Sequence, residues 1–207
     1  VRKVVSPVMV NEPKSAFYHI DFSFDHLRLG GSAFAQTLNC IGDDVPTVAN
    51  PEYFAEAFDA VQRLVKEGLV LAGHDISAGG LITTLLEMCF ANTTGGMEID
   101  LNGVVEKDIV KLLFAENPAL VIQVADKDKC RMQEILDEAG ICFVKIGTPC
   151  EKRHIAVAKD KRTRLFDIDH YRDVWYDSSY LMDLKQSFNG CASERLKNYK
   201  NQPLRYR

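Results

Sequence analysis

Leu69-Val-Leu-Ala-Gly-His-Asp-Ile-Ser-Ala-Gly-Gly80, followed by Leu81-Ile-Thr-Thr-Leu-Leu-Glu-Met-Cys-Phe-Ala91, decides how the rest of the chain is read. The apolar run Leu69 to Ala72 predicts a buried strand. A polar turn with paired glycines follows, and an almost wholly apolar helix starts near Gly80. The first amides of a helix lack partners inside it and their dipoles point outward, so strand, glycine turn and helix start together suit an anion. Asp75 would repel a bare phosphate there, and a divalent cation between the two removes the conflict, with oxygen ligands suited to Mg2+. Asp75 thus reads as a metal carboxylate and Ser77 as a phosphate-facing hydroxyl. The alternative is that Asp and Ser before a helix are ordinary caps that accept from its free amides. His74 beside Asp75 has the look of a metal-dependent phosphohydrolase pair, but a hydrogen-bonded structural histidine suits the glycine turn that follows better.

Working outward, Asn50-Pro51 opens the clearest helix. Asn is a good cap, Pro is preset for the first helical position, and Glu52 complements the positive end. Phe54, Phe58, Val61, Leu64 and Val65 fall on one face, and Gly68 ends the helix. The Gly80 to Ala91 segment leaves only Thr83, Thr84 and Glu87 polar, which predicts a helix buried between layers or at a domain interface. Glu87 reads as an edge-exposed or paired carboxylate. Further helices are expected over Val105 to Phe114 and Asp128 to Ala139, the latter stopped by Gly140. Strands are expected at Val4-Val5, Ala16 to Phe24, Met97 to Leu101, Ala119 to Val124, Ile141 to Ile146, Ile155 to Ala158 and Thr163 to Phe166. Leu29-Gly-Gly-Ser32 is a turn into Ala33 to Leu38, assigned to close packing and left outside the site. Helical crossovers mixed with a late run of strands predict an α+β (mixed α/β) fold, a mixed β-sheet covered by helices.

From Asp169 the character changes. Tyr171, Val174, Trp175, Tyr180 and Leu181 suggest an aromatic-faced helix, and the basic stretch after Lys185 breaks at Asn189-Gly190. One globular domain over residues 1–168 and a helical connector over 169–207 are therefore expected. A net charge of −4 over 207 residues gives no electrostatic reason to expect nucleic acid. Hydrophobic residues make up 46% and charged ones 26%, as in an ordinary soluble protein, and no apolar run is long enough to span a bilayer. The six cysteines carry no C-x-x-C pair and read as reduced, buried thiols of a cytoplasmic protein. Cys191 lacks the elbow of a glutaminase nucleophile. A start at Val1 rather than Met fits a segment of something longer.

Gly73-His-Asp-Ile-Ser-Ala-Gly-Gly-Leu81, with Leu29-Gly-Gly-Ser-Ala-Phe-Ala-Gln36 before it and Ala119-Leu-Val-Ile-Gln-Val124 after it, resembles the phosphoribosylformylglycinamidine synthase family. More narrowly, the chain resembles the second C-terminal-type domain of the aminoimidazole ribonucleotide (AIR) synthetase superfamily in the large, single-chain form. The likeness runs from Val4-Val-Ser-Pro7 to Asn198-Tyr-Lys-Asn-Gln-Pro203, the latter similar to the connector toward a glutaminase domain. The resemblance implies an ATP-dependent ligase of purine biosynthesis, turning formylglycinamide ribonucleotide, glutamine and ATP into formylglycinamidine ribonucleotide. It implies Mg2+ and ATP or ADP as cofactors, Asp75 as a magnesium-binding residue and Ser77 as a nucleotide contact. Its partners would be the remaining domains of the same polypeptide, one cradling ATP and one a glutaminase. Many relatives carry Asp where this chain has Ala78, which leaves Asp75 alone in its turn. Two rival readings stand beside this one. One is another superfamily enzyme, such as the ribonucleotide cyclase, a selenophosphate synthetase or a thiamine monophosphate kinase. The other is a structural nucleotide site without a catalytic role.

Overall fold

Seven strands hydrogen-bond into one sheet in a computed structural model that describes residues 3–201. They are β1 (Ser15–Asp21), β2 (Val70–Ile76), β3 (Gly96–Asp100), β4 (Ala119–Ala125), β5 (Phe143–Cys150), β6 (His154–Lys159) and β7 (Arg162–Asp167). Their order across the sheet is β2-β4-β1-β5-β3-β6-β7. β3 and β6 pair in parallel, and the other neighbouring pairs are antiparallel, so the sheet is mixed as its element order predicts.

Seven α-helices accompany it: α1 (Ala33–Thr37), α2 (Pro51–Glu67), α3 (Gly80–Phe90), α4 (Ile109–Phe114), α5 (Lys129–Glu138), α6 (Ile168–Gln186) and α7 (Cys191–Asn198). Side chains alternate between the two faces of a strand, and this sheet is apolar on both. On one face Tyr18, Ile20 and Val124 meet Leu64 of α2 and Met132 and Ile135 of α5. On the other, Phe17, Ala72, Ile76 and Val121 meet Leu81, Leu85 and Met88 of α3 and Leu112 of α4. The near absence of polar positions on α3 follows from this, since it lies between the sheet and α6 with eight of its residues buried.

Several expectations need correction. Val4-Val5 forms no strand: its segment is tied to β2 through the Ser6 carbonyl, which accepts from the Gly73 amide at 3.0 Å, and Pro7 has no amide to extend a ladder. Asn50 does cap α2, accepting from the Tyr53 amide, and Gly68 closes it at φ 78°. Its buried face, however, is Tyr53, Ala57, Ala60, Val61 and Leu64, while Phe58 is 51% exposed. Ala57 and Ala60 lie in that buried stripe, and Phe58 is turned about 100° round the helix from Ala57. α4 starts four residues later than predicted, because Asp108 caps it and Val105 stands in solvent. Only Cys89 is buried; Cys40, Cys130, Cys142 and Cys191 are exposed and Cys150 is intermediate, so all six thiols are unpaired but only Cys89 is a core residue. On α6 the aromatic stripe is largely solvent-facing, with Tyr171, Val174, Trp175 and Leu181 exposed and Ile168 and Arg172 buried. Val1 and the tail from Gln202, Pro203 included, lie outside the described residues. Among the described residues no helix is long and apolar enough to cross a membrane.

Candidate functional site

β2 runs further than the apolar run suggests. Gly73, His74 and Asp75 pair with Ile122, Val121 and Leu120 of β4, so Asp75 belongs to an edge strand and not to the turn. The turn is Ser77-Ala78-Gly79, and both glycines are required. Gly79 and Gly80 take φ of 89° and 72°, left-handed backbone that side chains disfavour. A Cβ at Gly80 would lie 2.7 Å from the Leu113 carbonyl oxygen, so only glycine lets α3 start this close to the end of α4.

The capping alternative fails. The cap of α3 is Gly79, with no side-chain bond to the helix, so neither the Asp75 nor the Ser77 side chain is spent on the free amides. The Asp75 side chain is 67% exposed, and its Oδ1 lies 3.3 Å from His74 Nδ1. His74 Nδ1 is hydrogen-bonded to the Asp75 carbonyl oxygen at 2.9 Å, and Nε2 lies 3.4 Å from the Glu87 carboxylate. Glu87 also accepts from the Trp175 indole at 3.1 Å, so it is paired and ties α3 to α6.

Sequence reasoning missed Glu116. Its Oε1 accepts from the Gly79 amide at 2.8 Å and from the Ala33 amide at 2.8 Å. One carboxylate thus joins the start of α3 to the start of α1, where the positive helix ends favour it. The Gly80 amide is taken by the Ser77 carbonyl at 2.9 Å. An outside anion at this helix start would have to displace Glu116, which corrects the simple phosphate-at-the-helix reading. The same contact brings the Leu29-Gly-Gly-Ser32 turn, set aside above, against the Ser77–Gly79 turn. No spacing pattern marks Glu116; it is a single acid between α4 and β4.

Its neighbour Asn117 is buried, accepts from the Arg28 amide at 3.0 Å and donates to the His26 carbonyl at 3.0 Å, which holds the loop after β1 in place. Behind the turn, Ile76 and Leu81 help line a cleft of about 590 Å3 whose polar wall includes His19, Asp21 and His26. Burial pushes the His19 imidazole below its ordinary value, and the charge of Asp21 partly opposes this.

Asp75 suits Mg2+ in kind: it is a hard, anionic, exposed oxygen donor, and Mg2+ is usually bound by one or two carboxylates, waters and substrate phosphates. A single carboxylate would supply only part of such a coordination sphere.

Helices on both faces of a mixed seven-stranded sheet, with a strand, a glycine turn and a helix at one edge, define an α+β domain with a candidate site at that edge. The chain belongs to the family described as AIR synthase related protein, C-terminal domain, which residues 22–160 match. It is 33% identical over 195 residues to the probable phosphoribosylformylglycinamidine synthase, chloroplastic/mitochondrial, of Arabidopsis thaliana, covering 93% of this chain and 14% of that protein. Among solved structures it is similar to T. maritima PurL complexed with FGAR, with a TM-score of 0.64, 18% identity and 82% of this chain against 29% of that one. T. maritima PurL complexed with ATP gives a TM-score of 0.62 at 14% identity, over 81% and 27% of the two chains. These two structural likenesses speak for the fold. The chain spans 14% of the length of its Arabidopsis relative.

Proposed function

We propose that this chain is the second C-terminal-type domain of a large, single-chain phosphoribosylformylglycinamidine synthase. The whole protein would be an ATP-dependent C–N ligase, making formylglycinamidine ribonucleotide from formylglycinamide ribonucleotide, glutamine and ATP. In this reading the chain contributes part of a Mg2+–nucleotide site, with Asp75 holding the metal and Ser77 contacting the nucleotide. The observation that carries it is local: neither side chain is used to cap α3, which leaves the Asp75 carboxylate and the Ser77 hydroxyl available to a ligand. Bound Mg2+ would offset phosphate charge. What this chain does for it is to fix Asp75 on a paired strand and to hold the adjoining turn rigid through Glu116, Gly79 and Gly80.

The remaining ligands would come from other domains of the same polypeptide. In support, Leu38, Ile41 and Val45 are exposed beside the glycine turn at 30–31, an apolar rim suited to a covering domain. Residues 169–207 would form the connector toward a glutaminase domain. The cytoplasm is the proposed compartment, from six unpaired cysteines without a disulfide framework. The same residues would hold a purely structural nucleotide or a reacting one.

Calorimetric titration tests the partial-site reading. Residues 1–207 should bind Mg2+–ATP no better than about millimolar, on the order of 4 kcal/mol, while the full-length protein binds it far more tightly. Micromolar binding by the 207-residue chain would mean that the site is complete within it.

A further inference from the structure

A second group of donors lies on the other half of the sheet, and neither the fold nor the reading above makes use of it. β5 ends at Cys150 and β6 begins at His154, so a three-residue turn separates a thiol from an imidazole. Cys150 pairs with Gly96 of β3, and the parallel register Met97↔Ile155 sets His154 beside Gly96 on the other flank. Directly paired residues point to the same face, and so do residues two apart along a strand, which puts Glu98 on the face of Cys150 and His154.

Gly96 is what allows the group to close. A Cβ there would lie 2.1 Å from the His154 carbonyl oxygen and 2.4 Å from that of Lys152, so only glycine lets the turn fold down over β3. As a result one ligand atom each from Glu98, Cys150 and His154 lies within 4.8 Å of the others. Glu98 Oε1 and His154 Nε2 are 3.6 Å apart. Zinc bonds of about 2.0–2.3 Å in a tetrahedron place neighbouring ligand atoms roughly 3.3–3.8 Å apart. The carboxylate–imidazole pair already meets that spacing, and small side-chain rotations bring in the thiol.

We propose that Glu98, Cys150 and His154 form a binding site for a borderline-soft divalent cation, Zn2+ in kind, with one coordination position open to solvent. The donor set selects the metal. Thiolate and imidazole suit zinc and disfavour Mg2+, so this site is chemically distinct from the one read at Asp75. Its surroundings agree. Arg153, the last residue of the turn, is directed away: it donates to the Cys89 and Gly95 carbonyls and pairs with Asp169, so its guanidinium does not crowd the three donors. Burial raises the Cys150 thiol above its ordinary value, and a bound dication would draw off the proton.

The test uses the full chain, reduced and freed of metal, titrated first with Co2+ alone and then with Zn2+. One equivalent of Co2+ should give thiolate-to-cobalt charge-transfer absorption, and Zn2+ should bleach it. Cys150→Ser should abolish the band, and Glu98→Gln and His154→Gln should each weaken Zn2+ binding at least tenfold. Cys130→Ser, an exposed thiol elsewhere, should change nothing. Glu98 is largely exposed, so its variant should melt at the wild-type temperature without metal and separates lost binding from lost folding. Absence of the band, its survival in Cys150→Ser, or unchanged Zn2+ affinity in Glu98→Gln would each overturn the assignment.

Discussion

The Glu116 carboxylate accepts from the Gly79 amide at 2.8 Å, and so fixes the turn that carries Ser77 from outside the strand–turn–helix unit. The same oxygen holds the Ala33 amide. Removing it leaves two amides unpaired at crowded helix starts, where an unsatisfied donor costs about 1–3 kcal/mol. Glu116→Ala should therefore lower stability by about 2 kcal/mol in urea denaturation. Glu116→Gln, which keeps an acceptor, should lose less. Equal losses would show that charge rather than hydrogen bonding matters at this point.

The sequence pattern and the structure disagree about α2, and the disagreement is measurable. Leu64 is fully buried and Phe58 is half exposed, although both appear on one apolar face in the sequence. Leu64→Ala should cost about 2–5 kcal/mol, as buried leucines do. Phe58→Ala should cost under about 1 kcal/mol, unless another domain covers it. The reverse order in denaturant midpoints would return the helix to the orientation that periodicity suggested.

His19 lines the cleft beside Asp21, and burial holds its imidazole below the ordinary value. The folded state then binds this proton more weakly than the unfolded chain, whose histidine titrates near about 6.5. Stability from this group is complete above that pH and is lost as pH falls toward the folded value. An NMR titration should give His19 a midpoint below about 6.5, and the stability loss between pH 7 and 5 should shrink in His19→Gln. A midpoint at or above about 6.5 would contradict the desolvated placement.

How much of this was legible depends on whether the cause was local. The cap at Asn50, the stop at Gly68 and the apolar helix from Gly80 are written in adjacent residues, and all three stand in the structure. The true end of β2 was hidden, because Gly73, His74 and Asp75 look like a turn until β4 offers them backbone partners. Glu116 and the Glu98–Cys150–His154 group were hidden for the same reason. Contacts across dozens of residues leave no spacing to read, and the Cys150–His154 interval means little until β3 is placed beside it.

The account rests most heavily on Asp75, a carboxylate that caps nothing and is two-thirds exposed at the sheet edge. Mg2+ and nucleotide content per chain, measured on purified full-length Asp75→Asn beside the wild type, tests it most directly. Both contents should fall well below the wild-type values while the melting temperature, with ligand removed from each protein, stays the same. Unchanged metal and nucleotide, or a clear drop in that melting temperature, would show that Asp75 serves the fold and not the site.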